Sequence, residues 1–215
     1  GERAHELSGV PPIEQSSQSK QQVVLKSVRE MRQRKRSQIT SFIGAIHQQG
    51  IPIEGTWTEW CSGKGHLGRC LIDNGAHQVV SLERQEKLVS KGRELTQKLG
   101  YQQEFILTDV QSPPLPSAIQ ESRGIVALHA CGTLTDDVLK TALEHRIRYA
   151  VAAPCCYHAG VGERRIYWSK KAQTGSLQLS GQDLRLVTAE VVVARPSVRK
   201  TRLREMAWRL ALDAW

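Results

Sequence analysis

Five short apolar segments, each closing on an acid or a small residue and each followed by a turn, constrain this chain more than anything else in it. They are "TWTEW" (56–60), "HQVVSLE" (77–83), "EFILTD" (104–109), "GIVALHA" (124–130) and "RYAVAAP" (148–154). Each reads as a strand. Helical spacing returns between them. One helix opens near His66, a second puts Leu88, Gly92, Leu95 and Leu99 on one face, and a third covers about Asp136–His145. A proline-containing connector (Pro113, Pro114, Pro116) follows the third strand. Strand and helix in alternation call for an α/β fold, a doubly wound and mostly parallel sheet with right-handed crossovers. A chain of 215 residues suits one such domain with appended material.

The flanks divide the chain into a flexible lead-in (1–19, polar and Pro-containing), a basic N-terminal helix or helices (20–50) and the main domain (51–215). In the helical part Val24, Val28, Met31, Ile39, Phe42, Ile43 and Ile46 recur at helical steps, with a basic gap at Lys35 and a break expected near Ser37. Gly50-Ile51-Pro52 stops it. Past Pro154 the pattern weakens. "LRLVTAEVVVA" (184–194) fits a strand or a buried helix, and Pro196-Ser197 opens a helix expected to turn Leu203, Met206, Leu210 and Ala214 inward. The chain starts at Gly1 and reads as a fragment, with any further strands of the sheet expected beyond Trp215.

Net charge is +9, and its distribution says more than its size. Between Ile51 and Gly124 eight basic residues face nine acidic ones, so the central part is close to neutral. The excess lies in the flanks, at Lys20, Lys26, Arg29, Arg32, Arg34, Lys35 and Arg36 and again at Arg195, Arg199, Lys200, Arg202, Arg204 and Arg209. Such clusters attract a phosphate backbone, and RNA (tRNA or rRNA) is the expected partner; two solvated helix faces are the plain alternative. No run approaches the roughly 18 apolar residues of a membrane span, and the first thirty residues hold no apolar block of a secretory leader. Five cysteines in an odd, unpatterned set read as reduced thiols. A cytoplasmic location with no membrane partner is expected.

The first strand runs into "TEWCSGKGHLGRC" (58–70), with Gly-x-Gly-x-x-Gly at Gly63, Gly65 and Gly68. Ligands of open α/β sheets bind at the carboxyl ends of the strands, where glycine lets a ligand approach the main chain. Glu83 ends the second strand, in place to accept the hydroxyls of an adenosine ribose, and Asp109 ends the third, near where adenine would lie. Both NAD and S-adenosylmethionine meet these demands. A pyrophosphate wants a bare helix N-terminus, whereas a carboxylate at Glu59 would help a sulfonium and repel phosphate. Glu59 therefore favours S-adenosylmethionine. A Gly-Lys-Ser/Thr phosphate loop is excluded, because Gly65 follows Lys64.

Strand four ends in "LHACG" (His129, Cys131, Gly132) and strand five in "APCCYH" (Cys155, Cys156, Tyr157, His158). Three readings compete for this group. His129 or His158 positions or deprotonates an acceptor with Tyr157 packed beside it. Alternatively the cysteines and histidines hold zinc, although Cys155-Cys156 is not the usual ligand hairpin and no metal is expected. The third reading has small buried thiols filling a tight turn.

The segments "TEWCSGKGHLGRCL", "ALHACGTLTD" and "APCCYH", in that order and spacing, resemble class I S-adenosylmethionine-dependent methyltransferases, which have a Rossmann-like sheet. They are most similar to the methyltransferase-like domain of glutathione S-transferase C-terminal-domain-containing proteins. More distantly they are similar to eukaryotic tRNA 2'-O-methyltransferases. The resemblance spans about Lys35 to His158 and implies S-adenosylmethionine as cofactor. It implies a cofactor set of Glu59, Cys61, Gly63, Gly65, Glu83 and Asp109, joined by His66, Leu67, Arg84, Val110 and His129, with the tips of strands four and five facing the acceptor. Cys61 replaces the first glycine of the family's loop. His129 is then the first candidate for the acceptor's proton and His158 the second. Cytosine C5 chemistry would instead make Cys155 or Cys156 a nucleophile. A protein substrate, an NAD-dependent oxidoreductase and a non-catalytic binding module on the same fold are the rival expectations.

Overall fold

A computed structural model of the chain describes residue 23, residues 31–187 and residues 196–213. The expected lead-in 1–19, most of the segment 20–30 and most of "LRLVTAEVVVA" lie outside the described residues. Five parallel strands form one sheet in the order β3-β2-β1-β4-β5: β1 (Thr56–Trp60), β2 (Gln78–Glu83), β3 (Gln103–Leu107), β4 (Gly124–Cys131) and β5 (Tyr149–Cys155). The chain winds outward from β1 to β3, then returns beside β1 with β4. The order therefore reverses between β1 and β4, and a crevice opens at their carboxyl ends.

Period two along each strand divides two cores. Trp57, Val79 and Val126 face one side, against helices α1 (Gln33–Gln48) and α2 (His66–Asp73). Trp60, Val80, Leu82, Ile125 and Ala127 face the other, against α4 (Thr133–Glu144) and a short 3-10 turn at Ser117–Glu121. Helix α3 (Glu86–Leu99) covers β2 and β3. The N-terminal helix is no appendage. Its Ile39, Phe42, Ile43 and Ile46 are buried with Leu67, Cys70 and Leu71 of α2, so it shares the core of the main domain. It also runs unbroken through Ser37, whose hydroxyl is satisfied by the Gln33 carbonyl at 3.2 Å.

Three expectations shift in register. The buried face of α3 is Val89, Gly92, Leu95 and Thr96; Leu88 turns to a cleft and Leu99 is exposed, because the apolar stripe is rotated by one residue. Helix α4 starts three residues before Asp136, because Gly132 makes the turn with φ 53°. A side chain there would collide with the Ala159 carbonyl, so the loops after β4 and β5 close on each other only over glycine. Past β5 come α5 (Lys170–Gln173), α6 (Gly181–Val187) and α7 (Pro196–Asp213). Leu203 of α7 is 53% exposed, against the expectation that it turns inward; the side chains of Met206, Leu210 and Ala214 lie outside the described residues.

Candidate active site

A cleft of about 480 Å³ opens at the reversal point, within the range of about 300–1,000 Å³ that small-molecule sites occupy. Cys61 and Gly63 of the glycine loop, Glu83 and Arg84 after β2, Asp109 and Val110 after β3, and His129 of β4 all line it. The Glu83 carboxylate is the fixed point of the cleft. It accepts the Gly63 N–H at 2.9 Å and the Gln85 N–H at 3.0 Å, and is 6% exposed. Asp109, also in the cleft wall, accepts the Gln111 N–H at 3.0 Å. Cys61 holds φ 51°, a conformation that glycine adopts at no cost. Desolvation, then the Glu83 charge, push its thiol up to about 11, so it stays protonated.

Glu59 lies elsewhere. Period two puts it on the Trp57 face, beneath α2, where it is 3% exposed and absent from the cleft wall. The expectation that it faces the cofactor's sulfonium is corrected by that parity. Its carboxyl accepts the Ser81 hydroxyl at 2.9 Å, and burial pushes it up to about 7 despite Ser81 and Arg69. His66 and Leu67 are likewise buried behind the loop and off the cleft wall. Burial, then Arg69, hold the His66 imidazole down to about 4, and it meets the Arg69 guanidinium at 3.0 Å.

These buried groups form one network that shapes the glycine loop from below. Arg69, fully buried, donates to the Lys64 backbone carbonyl at 2.9 Å and to the side-chain Oε1 of Gln103 at 3.3 Å. The Gln103 amide donates to the Gly65 carbonyl at 3.1 Å and to Ser81 at 2.7 Å. Gly65 has φ 69°, and a methyl group there would run into Gln103 and Phe105. Arg69, Ser81, Thr96 and Gln103 escaped the sequence reading, because a polar residue in a strand or helix pattern reads as solvent-facing. The one available sign was an Arg inside the apolar α2 stripe.

A second cavity of about 870 Å³ adjoins the cleft. Its walls are Cys155 at the end of β5, Cys156 and Tyr157 just after it, and Arg34, Ser37, Gln38 and Phe42 of α1. His129 borders both spaces. It is an extra residue in β4: Leu128 pairs with Ala153 and Ala130 with Pro154, so His129 is bulged out at φ 69°. Its Nε2 lies 3.2 Å from Gln38 Oε1, and in the tautomer that donates this bond Nδ1 is left as acceptor. Burial, then Lys35 and Arg34, lower its pKa. His158 lines neither cavity; it is half-buried, and its Nδ1 has no partner among the described residues. The role of α1 in this wall was illegible, since Gln38 and His129 are 91 residues apart.

Residues 34–161, more than half the chain, match a family model described as a methyltransferase domain. A glutathione S-transferase C-terminal domain-containing protein of Xenopus laevis is 30% identical over 126 residues, 58% of this chain and 19% of that protein. Its Homo sapiens counterpart is 28% identical over 133 residues, with the same shares. The chain thus spans about a fifth of the length of these curated relatives. Among solved structures, an S-adenosylmethionine-dependent methyltransferase from Clostridium acetobutylicum superposes with a TM-score of 0.40 at 13% identity, covering 53% of this chain and 46% of that one.

Proposed function

The chain belongs to this methyltransferase domain family, and on that premise we propose that it transfers a methyl group from S-adenosylmethionine to RNA. The observation that carries the reading is His129, which stands in the wall of both the cleft and the second cavity. A donor in the first space and an acceptor in the second would meet at this residue.

The cleft fits an adenosyl cofactor. Glu83 offers a buried carboxylate to ribose hydroxyls, and Asp109, Val110 and Leu88 supply a mixed polar and apolar wall for a base. Bound there, S-adenosylmethionine supplies a methyl group already activated by its sulfonium. An acid at the Glu83 position serves the adenosine ribose of NAD equally well, so the family match is what favours S-adenosylmethionine here.

The protein's work is then alignment and removal of a proton. His129 Nδ1 takes the acceptor's proton while Gln38 fixes the ring. The side chain of Arg34 on the rim of the second cavity favours a phosphate-bearing acceptor. Thermal shift with S-adenosylhomocysteine and with NADH tests the cofactor, and transfer of labelled methyl into total RNA and total protein tests the acceptor. Saturating S-adenosylhomocysteine should raise Tm by several degrees, as about 2.7 kcal/mol at 100-fold over Kd requires. A larger shift with NADH would overturn the cofactor. Label in protein alone would overturn the acceptor. RNA binding with steep salt dependence and no shift with S-adenosylhomocysteine would leave a binding module without transfer.

A further inference from the structure

We propose that the tips of β4 and β5 form a thiophilic metal site in which Cys131, Cys155 and Cys156 bind zinc or a similar soft divalent ion. The three sulfurs all lie within 4.8 Å of one another, and Cys131 Sγ is 3.2 Å from Cys155 Sγ. A tetrahedral zinc–thiolate centre with bonds of about 2.3 Å sets its sulfurs about 3.8 Å apart. The observed separations, from 3.2 Å to at most 4.8 Å, bracket that spacing.

Two departures from regular strand geometry bring the sulfurs together. The bulge at His129 drops one residue from the β4 ladder, and Cys131 thereby pairs with Cys155 across the strands. Without it, Ala130 would stand opposite Cys155. Adjacent residues of a strand point to opposite faces, so a regular continuation of β5 would part Cys156 from Cys155. At Cys156 the backbone leaves the extended region for φ 44°, and its sulfur swings back to the side of Cys155. A non-glycine residue held there is strained, and such strain concentrates at functional sites. The nitrogens of His129 and His158 fall outside the sulfur group. Three thiolates then leave the fourth position to water or to an atom of a bound molecule.

The site joins the two spaces, because Cys131 is in the wall of the cleft while Cys155 and Cys156 are in the wall of the second cavity. An ion there ties the β4 and β5 tips together, and each thiol gives its proton to solvent as it ligates. The inference goes beyond methyl transfer and is tested without any methyl donor.

The chain is purified under reductant, stripped with a chelator and titrated with Co²⁺, then with Zn²⁺ against a chromogenic chelator. A single ion per chain should bind, with thiolate-to-cobalt charge-transfer absorption that zinc abolishes. Replacing any one of the three (Cys131→Ser, Cys155→Ser or Cys156→Ser) should weaken binding by at least about 10-fold, as loss of a ligand demands. Cys70→Ala, in the apolar core, should bind as the wild type does. X-ray absorption on the zinc-loaded wild type does not depend on any variant folding, and should find three sulfurs at about 2.3 Å. No charge-transfer band in the reduced wild type, a zinc shell of nitrogen and oxygen alone, or undiminished binding by a Cys131→Ser/Cys155→Ser double variant would overturn the site.

Discussion

Cys61 holds a left-handed backbone that a side chain resists, and its thiol projects into the cleft where the family's loop has glycine. Cys61→Gly should therefore stabilise the chain by about 1 kcal/mol and tighten S-adenosylhomocysteine binding. Melting and calorimetry read both, and weaker binding by the variant would mean that the thiol contributes to the cofactor site. Glu59 and His66 make a second pair of predictions, through pH. Glu59 titrates near 7 when folded against 4.5 ordinarily, so its contribution to stability is full below pH 4.5 and lost as pH rises through 7. His66 titrates near 4 against 6.5, so its contribution is full above 6.5 and lost as pH falls through 4. Between pH 4.5 and 6.5 the two slopes oppose, and wild-type stability should vary little from these groups. Glu59→Gln uncovers the His66 slope, and stability should then rise with pH across that window by roughly 2 kcal/mol. A variant whose Tm stays flat there would refute the assignment. At the proposed centre, His129→Ala should lower turnover by about 10²–10⁴ while S-adenosylhomocysteine affinity stays within a few-fold. A parallel fall in affinity would make His129 a cofactor residue only.

The glycine loop is an element held from beneath. Gln103, at the start of β3, ties it to Arg69, Ser81 and Glu59, and no part of that network faces solvent. Gln103→Leu keeps the volume but strands the partners of Gln103, costing about 1–3 kcal/mol for a buried group left unpaired. Chemical denaturation measures this, and a neutral result would show that water replaces the amide. The second glycine obeys the same logic from the other side: Gly65→Ala would press on Gln103 and Phe105 and displace the loop. The strands and their order of appearance were legible because alternating burial imposes period two on the sequence. The limits of α3 and α4 were legible only to within a turn, since a glycine turn at positive φ starts α4 before any capping residue does.

For the whole molecule, α1 turns from an extension into a wall. Its apolar face joins the core while Arg34 and Gln38 border the second cavity. If RNA runs over this rim, Arg34→Gln should weaken binding at every salt concentration and reduce the slope of log K against log salt by about 0.7–0.9, one phosphate contact. An unchanged slope would take the RNA path elsewhere. No described helix is long and apolar enough to cross a membrane. Sequence alone determined the alternation of strand and helix, the place of the cleft and the residues at the strand tips, because these follow from local periodicity and from glycines that must turn. Only the tertiary structure decided that Glu59 lies under the loop, that Gln38 meets His129, and that three thiols converge. Those facts depend on strand parity, a single bulged residue and packing between segments far apart in the chain, where neighbouring residues carry no record of one another.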